Sequence, residues 1–247
     1  MLTKQSRITG KIENHHKILN GNYCLHHPSV EAVPLHVGII PDGGRRWAKA
    51  HGCSLGESYA CTRSFLQLLV EMFFNKGVQE LSIYLSSIQN FRREPEDLEP
   101  YLAILESSLN NQITQLARHR QLRVVIAGNL DILPASLRTA IESIEQQTIN
   151  YSSGRINLLL AYDPHEEIIK AVKSSGNMNE FITHLQITTP VDLVIRSGDA
   201  PLLSNFLPLQ SAWARLYFTD KLFNDLTAED VLQILRHFEK INRKFGN

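Results

Sequence analysis

The sequence predicts an α/β fold: a single domain built on a mainly parallel six-stranded sheet flanked by helices. Three observations carry that expectation. Six short runs rich in Val, Ile and Leu have few alternating polar positions, as strands buried on both faces require. Between them lie segments whose apolar residues recur every three or four positions, as in helices that cover a sheet. The 247 residues, 43% of them hydrophobic, contain no internal repeat and no Gly- or Pro-rich linker that would divide them.

Taken in order, residues 1–34 read as an irregular N-terminal arm with the pairs His15, His16 and His26, His27, and the folded domain spans 35–247. No carboxylate or Cys stands at ligand spacing from those histidines, so they read as solvated imidazoles rather than a metal site. Leu35 to Ile40 forms the first strand. A helix follows on the stripe Phe65, Leu66, Leu69, Val70 and Phe73, then a strand over Leu81 to Leu85. The stripe Leu98, Leu102, Leu105, Leu109, Ile113 and Leu116 predicts a long helix before the strand Leu122 to Ala127. Ile156 to Ala161 is the fourth strand, and Asp163-Pro164-His165-Glu166 opens a helix with an Asp cap, a Pro at the first helical position and a Glu at the third. Val191 to Ile195 and Leu216 to Phe218 complete the sheet. Thr227 to Asp230 opens the last helix, ahead of Val231, Leu235, Phe238 and Ile241.

Composition excludes several functions. With 25 basic and 25 acidic side chains, the chain has no general basic field for nucleic acid, and any anion must be recognised locally. Cys24, Cys53 and Cys61 are odd in number and form no C-x-x-C pair, which points to reduced thiols. Met1 to Asn20 lacks the apolar core of a secretory signal, and Leu66 to Phe74 is interrupted by Gln67 and Glu71, so a cytoplasmic protein without an integral membrane segment is expected.

The stretch that bears chemistry follows the first strand. His36-Val37-Gly38-Ile39-Ile40-Pro41-Asp42-Gly43-Gly44-Arg45-Arg46-Trp47-Ala48-Lys49 runs from a strand through an Asp, two glycines and two arginines into a helix-compatible segment. Glycines let backbone N–H groups approach a ligand, a helix N-terminus presents unpaired donors, and guanidiniums add forked ones. Those residue types suit phosphate or diphosphate. Asp42 by itself would repel such an anion, so it belongs there with a metal ion or a shared proton. Asp-Gly-Gly is also an ordinary turn signal, but two other strand ends carry arginines. Asn90-Phe91-Arg92-Arg93 follows the second strand and Arg196-Ser197-Gly198 the fifth. Parallel strands place these loops along one edge of the sheet, where guanidiniums distant in sequence converge on one anion.

These segments, with Pro190 to Gly198, Ser204-Asn205-Phe206 and Leu216-Tyr217-Phe218-Thr219-Asp220, resemble the cis-prenyltransferase family typified by undecaprenyl diphosphate synthase, over residues 36 to 246. The resemblance implies an apolar tunnel walled by two long helices, a homodimer, and Mg²⁺-assisted chemistry on allylic prenyl diphosphates. It implies that Asp42 binds the metal and is essential, and that Gly43, Arg46 and Arg93 cradle the allylic diphosphate, with Gly44 and Arg45 in the same loop. Arg196 and Ser204 match positions that hold a second diphosphate, that of isopentenyl diphosphate. Asn90 matches a loop residue near the reacting centre, and Phe91 stands where the family has Trp.

The departures are informative. The usual Asp-Gly-Asn-Gly-Arg is Asp42-Gly43-Gly44-Arg45-Arg46, with an extra guanidinium. The family's downstream arginine and histidine fall on Leu55 and Tyr59, and its second isopentenyl-site arginine on Leu202. Its metal-chelating histidine and glutamate fall on Pro201 and Arg215, and Ala161-Tyr162-Asp163-Pro164-His165 replaces Asn-Tyr-Gly-Gly-Arg. A hydrogen bond to a charged group contributes about 1.5–3 kcal/mol, so isopentenyl diphosphate is expected to bind poorly, while the allylic side gains Arg45. Arg215 offers a fixed cation in place of a metal ligand. Phe65, Leu69, Phe73, Phe91 and Leu159 are the candidate prenyl pocket, although plain core explains any one of the stripe residues as well. Leu159 and Leu160 stand where small residues are common in elongating members, which predicts a short tunnel.

A shorter resemblance links Asp42 and Tyr59, seventeen residues apart, to tuberculosinol and tuberculosinyl-adenosine synthases of the same fold, which have Asp-Gly-x-Arg-Arg-Trp. The expected function is therefore ionisation of a short allylic prenyl diphosphate and transfer of the prenyl group to a small-molecule acceptor other than isopentenyl diphosphate, in secondary metabolism. Asn90 and Tyr59 are expected to orient that acceptor or take its proton alongside Asp42. Three alternatives stay open: a terpene synthase that quenches the cation with water or by cyclisation, cis-polyprenyl elongation, and a non-catalytic accessory subunit.

Overall fold

The computed structural model describes residues 33–240. The paired histidines, Cys24, nearly all of the expected 1–34 arm, and Ile241 lie outside the described residues. Strand β1 (His36–Ile40) leads into α1 (Gly44–His51) and α2 (Leu55–Asn75), then β2 (Glu80–Tyr84). A 3₁₀ turn (Ile88–Arg92) precedes α3 (Pro95–Ser108), which continues through a π-helical turn (Leu109–Ile113) into α4 (Thr114–Arg120). The chain goes on through β3 (Leu122–Ala127), α5 (Ala135–Thr148), β4 (Gly154–Leu159), α6 (Pro164–Ser174), α7 (Met178–Phe181), β5 (Leu193–Arg196), β6 (Arg215–Phe218) and α8 (Ala228–Glu239).

All strand pairings are parallel, in the order β3-β4-β2-β1-β5-β6. From β1 the chain first adds β2 beside it, then the outermost β3, and then β4 between those two. It then returns to β5 and β6 on the other side. The reversal makes a crevice at the carboxyl ends of β1 and β5, the place where doubly wound sheets bind ligands. β1, β2 and β5 are buried along their whole length. The larger apolar core packs α2, α3, α5 and α8 on the sheet, and a smaller one gathers Tyr84, Tyr162, Val194 and Phe206. Gly38 makes room for the second core: a Cβ there would lie 2.5 Å from the Phe206 ring.

Capping fixes the helix starts. Ser54 accepts from the Glu57 N–H, and Glu57 accepts from the Ser54 N–H, giving α2 a reciprocal cap. Thr227 and Asp230 do the same for α8, and Asp163 caps α6 as the sequence predicts.

Two features depart from expectation. β6 is an edge strand rather than one buried on both faces, with Leu216 46% and Tyr217 38% exposed. The Leu98 to Leu116 stripe is one continuous helical rod only by way of the π turn, where the Thr114 hydroxyl donates to Leu109 O at 2.6 Å. The extra residue in that turn shifts the helical phase, so the residues that face the sheet change there.

Candidate active site at the ends of β1 and β5

The loop after β1 is held from three sides. The Ser197 hydroxyl accepts from the Asp42 N–H at 2.9 Å and donates to Asp42 O at 3.0 Å, and the Phe223 N–H donates to the same carbonyl. Gly43 adopts φ 110°, a left-handed conformation that starts α1, and Leu222 packs so close that a Cβ there would meet it at 2.8 Å. The buried Ser58 hydroxyl donates to Gly44 O at 2.8 Å, and Asn224 Nδ2 donates to Ser58 O at 3.0 Å. The first N–H groups of α1 are thereby fixed at the rim of the crevice.

Asp42 sits between two guanidiniums. Arg196 Nη2 donates to Oδ2 at 2.9 Å, and Arg46 Nη2 lies 3.4 Å from Oδ1 while donating to Gly198 O at 2.7 Å. Arg196 is itself buried and tied by Nη1 to Leu202 O and to the Ser204 hydroxyl, both at 2.7 Å, but its Nε has no partner among the described residues. Arg45 reaches Asp97 at 3.2 Å. Asn90 uses its Oδ1 to accept from the Ser87 N–H at 3.0 Å, which leaves its amide N–H₂ as the donor for a ligand.

These residues surround a cavity of about 550 Å³ whose wall includes Asp42, Gly43, Gly44, Arg45, Arg46 and Tyr59, with Asn90, Arg93, Arg196 and Ser204 across from them. Every residue expected at the diphosphate site and every expected catalytic residue is thus brought to one cavity. A second, almost wholly apolar cavity of about 110 Å³ adjoins it. Leu66 and Val70 from α2, Ile104 and Leu105 from α3, and Ile83 and Leu158 from the sheet line it. Tyr59, Leu85 and Tyr101 belong to the walls of both.

The expected prenyl pocket needs correcting. Phe65, Leu69 and Phe73 are absent from the apolar cavity's wall: Leu69 and Phe73 are buried in the main core, and Phe65 meets Phe223 edge to face with ring centroids 5.3 Å apart. The cavity-facing stripe is one residue further along α2, through Leu66 and Val70. Leu159 is buried in the second core while Leu158 faces the cavity, as strand alternation dictates. Phe91 packs against the main core outside the cavity wall. Arg215 starts β6 opposite Leu193, whereas Arg196 lies opposite Phe218 at the crevice end, so within one chain Arg215 stands at the far end of its strand and outside the cavity wall.

Sequence reasoning missed Tyr84, Ser86 and Tyr101. Tyr84 donates to Ser204 O at 3.0 Å, and burial pushes its phenol up to about 12. Tyr101 lies inside a leucine stripe, where its spacing reads as core.

The chain matches the family model for undecaprenyl diphosphate synthases, a prenyltransferase family, over residues 40–246. The chain belongs to this family of cis-prenyltransferases. It is 31% identical to the tritrans,polycis-undecaprenyl-diphosphate synthase (geranylgeranyl-diphosphate specific) of Pyrococcus furiosus, an alignment that covers 91% of either chain. It is 31% identical to an isoprenyl transferase of Treponema denticola over 86% of this chain and 97% of that one. Among solved structures it resembles lavandulyl diphosphate synthase from Lavandula x intermedia in complex with dimethylallyl diphosphate, with a TM-score of 0.82, 28% identity, and coverage of 87% of this chain and 99% of the other. As a cis-prenyltransferase it is an enzyme of prenyl transfer from allylic diphosphates. Among the described residues, no helix is long and apolar enough to cross a membrane.

Proposed function

We propose that this cis-prenyltransferase ionises a short allylic prenyl diphosphate and transfers the prenyl group to an acceptor other than isopentenyl diphosphate. The observation that carries this reading is the union of a large, arginine-lined cavity with a small apolar one. An engineered cavity of about 150 Å³ holds a benzene ring, so about 110 Å³ has room for a five-carbon tail. The lavandulyl diphosphate synthase it resembles, itself bound to dimethylallyl diphosphate, supports a short substrate. Leu202, exposed and contributing only its backbone carbonyl to Arg196, supports a weakened isopentenyl site.

In the reaction the Arg46, Arg45 and Arg93 guanidiniums and the N–H groups at the start of α1 hold the leaving diphosphate. Arg196 Nε offers a further buried donor. Leu66, Val70 and their neighbours exclude water from the prenyl cation. Asn90 Nδ2 is placed to hydrogen-bond the acceptor.

Mg²⁺ fits in a limited way. Among the described residues no cluster of three or more His, Cys, Asp or Glu could enclose a metal ion. Asp42 is a single carboxylate beside the diphosphate cradle, which matches the habit of Mg²⁺ of taking one or two carboxylates plus substrate phosphates and water. Bound there, the ion would supply charge stabilisation to the leaving group, while Arg196 and Arg46 already neutralise Asp42 from the protein side.

The wider reading is of a cytoplasmic homodimer serving secondary metabolism. The exposed edge strand β6, with Leu216, Tyr217 and nearby Trp213 at 47% exposure, supports a second copy there.

The decisive test is mass spectrometry of products from dimethylallyl, geranyl and farnesyl diphosphates, each with and without isopentenyl diphosphate and a panel of acceptors. A single short prenyl unit on a non-isopentenyl acceptor is expected. A ladder of lengthening polyprenyl diphosphates that requires isopentenyl diphosphate would instead establish elongation, the reading that the names of the curated relatives favour.

A further inference from the structure

An amphipathic substrate with its diphosphate in the polar cavity and its tail in the apolar one must place its C1–O bond where the cavities meet. Tyr59, Leu85 and Tyr101 form that junction. The two tyrosine rings meet edge to face with centroids 5.4 Å apart. Both hydroxyl oxygens are buried, and neither closes a hydrogen bond among the described residues. Buried polar atoms without partners are rare in folded proteins, and two side by side at a cavity junction point to a ligand that completes them. Burial raises both phenols above their ordinary value, against the pull of the nearby Ser86 hydroxyl and of Arg93 on Tyr101 and of Arg93 and Arg45 on Tyr59, so each hydroxyl keeps a proton to donate. Ser86 lies close to Tyr101 without closing a hydrogen bond to it. That property makes Tyr59 a poor general base and a good neutral donor.

Resting on the reading of this site as one that ionises an allylic diphosphate, we propose that Tyr101, together with Tyr59, donates a hydrogen bond to the ester oxygen of that diphosphate as the C1–O bond breaks. The bond breaks heterolytically and its electron pair stays on the ester oxygen, where the two O–H groups meet the developing charge and are not consumed. The acceptor's electron pair then forms the bond to C1, and the proton shed by the adduct goes to the released diphosphate. Donors aimed at developing charge act more strongly on the transition state than on the bound substrate.

Tyr101→Phe and Tyr59→Phe keep the rings and delete the hydroxyls. Each should lower kcat with dimethylallyl diphosphate on the order of 10²-fold while leaving KM little changed. Without ligand, each should raise Tm by about 2–4 °C, because a buried hydroxyl without a partner is removed. A merely structural hydroxyl would do the reverse, lowering Tm and leaving kcat per folded molecule intact. Unchanged kcat in both variants, or a loss confined to KM, overturns the proposal while the function stands. If the wild-type protein releases no diphosphate from any allylic diphosphate, with or without acceptors, the functional reading falls and this assignment falls with it.

Discussion

Two polar clusters lie toward opposite ends of the same parallel strands, and they differ in whether their groups are satisfied. At the amino-terminal end, His36 Nδ1 meets Pro190 O at 3.1 Å and its Nε2 meets the Ser82 hydroxyl at 2.8 Å. Asn157 Nδ2 donates to Glu80 Oε1 and Ser82 Oγ, and Asp192 Oδ2 accepts from the Leu35 and His36 N–H groups. Within this set, Asn157 Oδ1 alone lacks a partner among the described residues, and Asn157 lines neither of the two cavities described above. At the carboxyl-terminal end, Arg196 Nε, Tyr59 Oη and Tyr101 Oη all lack partners among the described residues, and a cavity of about 550 Å³ opens beside them. A buried network whose groups very nearly satisfy one another is part of the fold; several unsatisfied groups clustered beside open space point to a ligand.

If that contrast is sound, substitutions at the open end should damage chemistry and spare the fold. Asp42→Asn should have the largest effect, lowering kcat/KM by about 10²–10³, the usual consequence of losing one preorganised charged group at a reacting centre. Tm should stay close to that of the wild type, since an Asn oxygen still accepts from Arg196 Nη2. Product formation with dimethylallyl diphosphate and a melting curve measure both, and a Tm collapse would place Asp42 with the structural cluster instead. Arg46→Ala comes next. Loss of a charge-assisted contact of about 1.5–3 kcal/mol should raise the Kd or KM for the allylic diphosphate roughly 10- to 100-fold. An unchanged KM would remove Arg46 from the diphosphate cradle.

The two ends were also unequally legible in the sequence. The open end announces itself because Asp42 to Arg46, Arg93 and Arg196 are charged residues and glycines placed where strands end, and only parallel topology is needed to bring them together. Tyr101 was hidden because an aromatic residue in a leucine stripe has the spacing of core, and its unmatched hydroxyl shows only in three dimensions. Phe65, Leu69 and Phe73 misled for a related reason: the α2 stripe is broad, and period alone cannot tell the sheet-facing row from the cavity-facing row one residue away. Arg215 was placed by motif position, which does not say at which end of β6 it lies. The expected strand runs lie within two residues of the observed ones at either end, and β6 differs in being exposed at an edge. A run of three apolar residues cannot declare which face has a neighbour.

At the closed end the opposite pattern is expected. Ser82→Ala removes the hydroxyl that His36 Nε2 and Asn157 Nδ2 share, leaving two buried groups short of a partner. Unfolding free energy should fall by about 1–3 kcal/mol, while kcat of the folded fraction is retained. Denaturant unfolding paired with active-site-normalised turnover separates the two, and a kcat loss without a stability change would break the contrast drawn above.

The smallest effect should be the pH dependence of His36. Pro190 O can only accept, so Nδ1 carries the proton and Nε2 accepts from the Ser82 hydroxyl, which in turn accepts from Asn157. A second proton would turn that acceptor into a donor and bring a charge into the interior. Burial accordingly lowers the pKa of His36, only partly offset by Glu80 and Asp192. Between that lowered folded value and the unfolded value of about 6.5, the unfolded chain binds more protons than the folded one. Stability is therefore full above pH 6.5 and is lost as pH falls through the window, by about 1.4 kcal/mol per unit of depression. Melting curves from pH 5 to 8 should show this slope in the wild type. In His36→Gln, which cannot titrate, the slope should flatten below pH 6.5, whatever the variant's absolute stability. An identical slope in both proteins would show that the closed cluster does not hold its histidine neutral.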